Sequence, residues 1–205
     1  MSTLLHLDSS PLGEASISRH LSNEFVQHWK KANPEGKIIR RDTTTSAIPP
    51  VTAAHVAAVY TPADSLTPEQ KELLSLSGTL ISELEEANEY VLGVPMHNFS
   101  IPSTLKLWID QIARVNRTFS YATGTPIGLL TGKKLTILIA SGGNYDAGTA
   151  MESFNHAGPY LRTIFGFLGI TDITILHAGG AAALNYGADR AAFLAPHVES
   201  IRARF

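Results

Sequence analysis

Three short stretches hold most of the residues whose types and spacing could do chemistry. The first, Asp8-Ser9-Ser10-Pro11-Leu12-Gly13-Glu14-Ala15-Ser16-Ile17-Ser18, crowds hydroxyls into a loop that feeds a helix. A helix start offers backbone N–H groups without partners and about half a positive charge. With hydroxyls added, such a loop can hold a phosphate monoester without a lysine. The same serines can also do no more than cap a helix and close a turn, and this loop alone leaves both readings open. Other phosphate loops are excluded. No Gly-x-x-x-x-Gly-Lys-Ser/Thr occurs, and Gly13 alone stands where a Gly-x-Gly-x-x-Gly would need three glycines.

The second stretch is Pro95-Met96-His97-Asn98-Phe99-Ser100-Ile101-Pro102, and the third is Ala140-Ser141-Gly142-Gly143-Asn144-Tyr145. Met96 and Phe99 offer flat apolar surface, while Asn98 and the neighbouring amides offer polar contacts at a ring's edge. Gly142 and Gly143 let backbone N–H groups approach a ligand closely, and Tyr145 could cover it. An ordinary strand-to-helix loop and a tight turn are the alternatives for these two stretches taken singly.

Other chemistries find little support. The chain has no cysteine, which removes disulfides, thiolate metal sites and cysteine nucleophiles. Its eight histidines show no paired ligand spacing, so no metal site is expected. Only His97, by its place in the second stretch, stands out as a residue for a substrate pocket. The 205 residues carry a formal charge of -2 and no cluster of Lys and Arg, which argues against a nucleic-acid partner. No basic and apolar leader opens the chain, and no run reaches the roughly 18 apolar residues of a membrane span. A soluble, cytoplasmic protein without a membrane partner is the expectation.

Hydrophobic residues make up 44% of the chain, enough for a filled core, and a single domain over 1–205 is expected. Apolar runs at Leu4–Leu7, Tyr90–Val94, Lys134–Ala140 and Thr171–Ala178 read as strands, with Lys37–Asp42 as one more that keeps a wet face. Helical spacing marks the segments from Ser16 or Ser18 to Lys31, Thr67 to Ala87, Ser103 to Val115, Pro159 to Gly169 and Ala188 to Arg204. Thr67-Pro68-Glu69-Gln70 predicts a capping box, Thr52 to Val59 a short helix, and Ser103 a cap. Phe119 to Thr123, followed by Gly124, Pro126 and Gly128, suggests a hairpin. Asp110 and Arg114 stand as an i,i+4 pair, and Trp108 belongs to the core or an interface.

Near-continuous apolar strands alternating with helices describe an α/β protein, a parallel sheet covered on both faces. Five such strands predict the flavodoxin-like doubly wound order 2-1-3-4-5, in which ligands sit beyond the carboxyl ends of the strands. All three stretches then meet at one edge. A phosphate tail in the first and a flat ring between the other two describe flavin mononucleotide, FMN.

Taken together, the three loops resemble the FMN-dependent NADH-azoreductases, also described as NAD(P)H:quinone oxidoreductases, over nearly the whole chain. The resemblance implies that Ser10, Ser16, Ile17 and Ser18 bind the FMN phosphate. It also implies that Met96, His97, Asn98, Phe99, Ala140, Ser141, Gly142 and Gly143 hold the ring. His97 stands where that family has Tyr and Ser141 where it has Arg; Asn116 replaces a common Gly, and Gly179-Gly180 an acidic residue. A homodimer is implied, with Phe119 reaching the facing subunit's site. His97, Phe119 and Tyr145 are the expected substrate contacts.

The implied reaction carries two electrons from NADH or NADPH to a quinone or azo compound in ping-pong order. No catalytic side chain is expected, because the cofactor does the redox chemistry and the protein positions it. Two rival readings have less support in the residues. A flavodoxin-like electron carrier would be smaller and more acidic. A serine hydrolase using Ser9 or Ser10 after Asp8 lacks a matching late Asp-x-x-His and any Gly-x-Ser-x-Gly elbow.

Overall fold

A computed structural model describes residues 2–205. Five parallel strands form its sheet: β1 (Thr3–Asp8), β2 (Lys37–Asp42), β3 (Glu89–Pro95), β6 (Lys134–Ala140) and β7 (Asp172–Ala178), in the order β2-β1-β3-β6-β7. Two further strands, β4 (Phe119–Ser120) and β5 (Ile127–Gly128), make the separate antiparallel hairpin that the turn residues predict. Renumbered without that hairpin, the sheet has the predicted order 2-1-3-4-5. Every residue of β1 is buried, as the apolar run Leu4–Leu7 requires of a strand covered on both faces.

Helices cover the sheet in two layers. α1 (Ile17–Ala32) and α7 (Arg190–Arg202) enclose one core with Leu4, Phe25, Trp29, Val91 and Leu138. α4 (Ser75–Glu86), α5 (Ser103–Ile112) and α6 (Ala157–Phe167) enclose the larger one with Leu92, Trp108, Ile137 and Phe165. Two short helices, α2 (Ala53–Tyr60) and α3 (Pro68–Leu73), lie between β2 and α4. Thr52 caps α2, and Thr67 with Gln70 closes the predicted capping box on α3.

Three local expectations are overturned. The helix expected from Thr67 to Ala87 breaks at Leu74 into α3 and α4. Leu73 stays exposed while Leu74 turns into the core, and the new direction brings Leu80, Ile81 and Leu84 fully out of water. Ser103 is the first residue of α5 rather than its cap; Pro102 precedes it, with no side chain capping the helix. Asp110 pairs with Lys106 at 2.6 Å and not with Arg114, because α5 ends at Ile112 and the i,i+4 geometry ends with it. Trp108 belongs to the core.

Candidate active site

The carboxyl ends of β1, β3, β6 and β7 open onto one cavity of about 510 Å³. Its first wall is the loop after β1. A short turn at Gly13–Ala15 delivers Ser16 to the start of α1, where its hydroxyl accepts from the Arg19 amide at 3.2 Å. Ser18 Oγ lies 3.2 Å from Ser16 Oγ. Ile17 and Ser18 open the helix, so their amides have no partner within it. Ser10, Ser16, Ile17 and Ser18 all line the cavity here.

A charged network beneath fixes this loop. Arg19 Nε donates to the Ser10 carbonyl at 2.7 Å, and its terminal nitrogens reach Asp42 at 2.7 Å and the Thr44 hydroxyl at 3.2 Å. Burial opposes charge on Asp42, but hydrogen bonds from the Thr44 hydroxyl and amide and from Arg19 outweigh it and hold the carboxyl below its ordinary range. Buried His6 receives an Arg40 N–H at Nδ1, 2.8 Å away. A guanidinium only donates, so the proton of a neutral ring sits on Nε2, which faces Asp8 at 3.2 Å. Ser22 closes the group by donating to Asp8 at 2.7 Å. Gly93 makes room for it, since a Cβ there would lie 2.4 Å from Asp8 Oδ1 and 2.9 Å from the Ser18 carbonyl.

The second wall follows β3. The Met96 amide donates to the Ala140 carbonyl at 2.7 Å, which sets Pro95, Met96 and His97 against the end of β6. His97 and Ser100 then exchange backbone hydrogen bonds at 2.9 and 3.0 Å around a tight turn. Its central residues, Asn98 and Phe99, have φ of 48° and 68°. Asparagine tolerates that region; phenylalanine does so at a cost of about 1–2 kcal/mol. Contacts hold Phe99 there. Its carbonyl accepts from the His156 amide at 2.9 Å, and its ring lies 5.2 Å from Phe154 and 6.0 Å from Tyr145. The turn carries Asn98 and Phe99 past the cavity lining.

Ala140, Ser141 and Gly142 form the third wall. Gly143 is set behind them, under the Tyr145 ring, and neither residue lines the cavity. A fourth wall escapes sequence reasoning. After β7, Gly180 takes φ 83° and its amide bonds the Gly143 carbonyl at 3.0 Å. Ala181 and Ala182 donate to the Ser141 and Gly142 carbonyls at 3.0 Å each, which lays Ala181, Ala182 and Leu184 along the cavity. Arg190 closes the serine end, donating to the Ala15 carbonyl at 2.9 Å. The signal for this wall was Gly179-Gly180 at a strand end, a glycine pair like that of the third stretch.

Phe119 is not brought to this cavity. It is 8% exposed and packs 4.8 Å from Phe167 in the larger core. Nor does Ser9 make a nucleophile, because its buried hydroxyl donates to the Gly93 carbonyl at 3.0 Å. The cavity thus offers hydroxyls, helix-end amides and a cation at one end, with an apolar slot of Pro95, Met96, Ala140 and Ala181 beyond them. Among the described residues no group of three or more His, Asp or Glu could hold a metal, and no helix is long and apolar enough to cross a membrane.

The sequence profile described as "Flavodoxin-like fold" matches residues 2–205. An FMN-dependent NADH:quinone oxidoreductase of Acidobacterium capsulatum is 54% identical over 203 residues, 98% of each chain. The chain belongs to this family of flavodoxin-like oxidoreductases. A second member, FMN-dependent NADH:quinone oxidoreductase 3 of Burkholderia lata, is 46% identical over the full length of both chains. Among solved structures, the FMN-dependent NADH-azoreductase from Bacillus anthracis in complex with FMN superposes with a TM-score of 0.87 at 26% identity. That match covers 100% of this chain and 97% of the other. Membership makes the protein an enzyme and sets aside the electron-carrier reading.

Proposed function

We propose that this single-domain oxidoreductase binds FMN in the cavity and passes two electrons from NADH or NADPH to quinones, azo compounds being further acceptors. The observation that carries this reading is the polarity of the cavity. Hydroxyls of Ser10, Ser16 and Ser18, the first amides of α1 and the Arg190 guanidinium suit a phosphate monoester. The slot between Met96 and Gly142 suits a flat ring, so the residues present fit the cofactor. Bound FMN supplies the two-electron centre.

The chain's own residues bind and orient. Met96 and Pro95 would give the ring an apolar surface, and Gly142, which lines the cavity, would offer its amide to the polar edge. Asn98, Phe99 and Tyr145 sit just outside, at the mouth where His97 is exposed. We place nicotinamide and acceptor at that mouth in turn, which makes the kinetics ping-pong. We also propose a homodimer, in which the exposed Tyr121, Ile127 and Leu129 around the β4–β5 hairpin find cover.

The test is direct. The purified protein should be yellow, NADH should bleach its visible absorption, and a quinone should sustain NADH oxidation without a partner protein. A colourless protein that takes up no added FMN would end this reading. Comparing kcat/KM for NADH and NADPH across several quinones and one azo dye then settles donor and acceptor.

A further inference from the structure

Between the carboxyl ends of α2 and α5 lies a second cavity, of about 340 Å³, that shares no residue with the first. Its size is that of a small-molecule site. One wall is apolar, made by Val59 of α2 and by Pro62, Ala63 and Leu66 beyond it. The other is the turn after α5, which brings in Arg114 and Arg117. Backbone bonds fix that turn: the Arg117 and Thr118 amides both donate to the Arg114 carbonyl, at 3.2 and 3.0 Å.

The two arginines differ in their partners. Arg117 sets its guanidinium 3.1 Å from both carboxylate oxygens of Glu85. Arg114 is the one arginine whose side chain makes no hydrogen bond and has no carboxylate within 4.0 Å among the described residues. Arg19, Arg41 and Arg202 meet carboxylates, and the rest bond carbonyls, a hydroxyl or the His6 ring. Yet Arg114 is half-buried, and burial, with the Arg117 charge second, holds it below the ordinary guanidinium range. It keeps its proton all the same. His55 of α2, the other titratable group nearby, is itself held low by burial and by Arg114, so it supplies no counter-charge. The carboxyl ends of the two helices lend partial negative charge, which steadies a cation but fills none of its N–H donors. A cation half out of water with its donors unfilled costs stability unless something outside the chain pairs with it.

We propose that this cavity binds a small aromatic carboxylate, its carboxylate forked onto Arg114 and its ring laid along Val59, Pro62 and Leu66. A planar guanidinium matches a carboxylate with two parallel hydrogen bonds. The opposite wall selects the body behind that group: inorganic phosphate would fill the fork and leave the apolar residues wet, whereas a ring takes them out of water. Tyr60, 68% exposed beside them, adds an aromatic contact. The inference stands apart from the FMN reading, because the two cavities have no residue in common.

Benzoate is the probe. Titrated into the full chain at pH 7 with FMN in excess, it should bind one site per chain with a dissociation constant below about 1 mM. Inorganic phosphate should bind about tenfold more weakly or worse. Arg114→Gln should weaken benzoate about tenfold or more, as loss of a charged hydrogen-bond partner does, and Arg114→Lys, which keeps the charge without the fork, should fall between. Arg114→Gln also removes an unpaired cation, so its Tm without benzoate should be no lower than that of the wild type. Benzoate should raise Tm in the wild type alone. A drop of several degrees in Arg114→Gln would show that the guanidinium has a structural partner, and overturns the proposal. So does a wild type that takes up no benzoate, phosphate that binds as tightly, or benzoate binding that Arg114→Gln leaves unchanged. Benzoate that binds only where sedimentation shows a monomer would mean that a second copy of the chain fills the cavity, with the same result.

Discussion

Arg19 and Asp42 form an ion pair 2.7 Å long that ties the first turn of α1 to the carboxyl end of β2. The same guanidinium holds the Ser10 carbonyl, so one side chain fixes the serine loop from beneath without entering the cavity. Lysine keeps the charge but has no planar fork and cannot serve both partners in that geometry. Arg19→Lys should therefore weaken FMN binding about tenfold, equivalent to about 1.4 kcal/mol. Flavin fluorescence titration measures it. An unchanged dissociation constant would mean that the loop keeps its shape without Arg19.

Gly93 governs how closely α1 approaches the sheet under that loop. A Cβ at this position meets Asp8 Oδ1 at 2.4 Å and Ser22 Oγ at 2.9 Å, inside a buried network that cannot yield without breaking hydrogen bonds. Overpacking of this kind costs about 1–3 kcal/mol. Gly93→Ala should lower Tm by several degrees, since each kcal/mol moves a domain of this size by about 2–4 °C. It should also weaken FMN binding, because the clash lifts the first turn of α1. A variant as stable as the wild type would show that the network has slack.

Much of this architecture is legible in the residues, and the losses share a cause. Strand order follows from apolar runs such as Leu4–Leu7 and Leu135–Ala140, and the capping of α2 and α3 follows from Thr52 and from Thr67 with Gln70. These signals are local. The break at Leu74 is not, because it depends on which face of α4 the sheet can bury. Phe119 packs on Phe167 in the larger core, a contact that no local spacing around either residue reveals. His177 reads as a lone strand histidine, since its partners Ser141 and Asp146 stand 36 and 31 residues away. The fourth cavity wall is hidden for the same reason: Ala181–Leu184 is featureless until β7 places it beside β6.

Ser16 has two roles that substitution can separate. Its hydroxyl caps α1 through the Arg19 amide and also lines the serine end of the cavity. Glycine at an N-cap costs only a few tenths of a kcal/mol, whereas alanine costs about 1 kcal/mol. Ser16→Gly should thus keep stability near that of the wild type while losing a hydroxyl to the phosphate, and FMN affinity should fall about threefold to tenfold. Ser16→Ala should lose both. If Ser16→Gly binds FMN as the wild type does, the hydroxyl is a cap and nothing more, and the phosphate rests on the amides and the remaining serines.

His55 sets a pH dependence remote from the cavity. It is 6% exposed, and burial, helped by the Arg114 charge, holds its imidazole below the ordinary range. The unfolded chain, with a histidine pKa of about 6.5, takes up this proton before the folded one does. Protons bound only by the unfolded state make stability rise with pH. His55 therefore leaves stability intact above about pH 6.5 and withdraws some as the pH falls below it toward the lower folded value. Urea denaturation at pH 7.5 and 5.5 should show a lower midpoint at the acid pH. His55→Gln removes the group and should shrink that difference, with His197, shifted the same way, keeping part of it. Equal pH dependence in wild type and variant would place the titration elsewhere in the molecule.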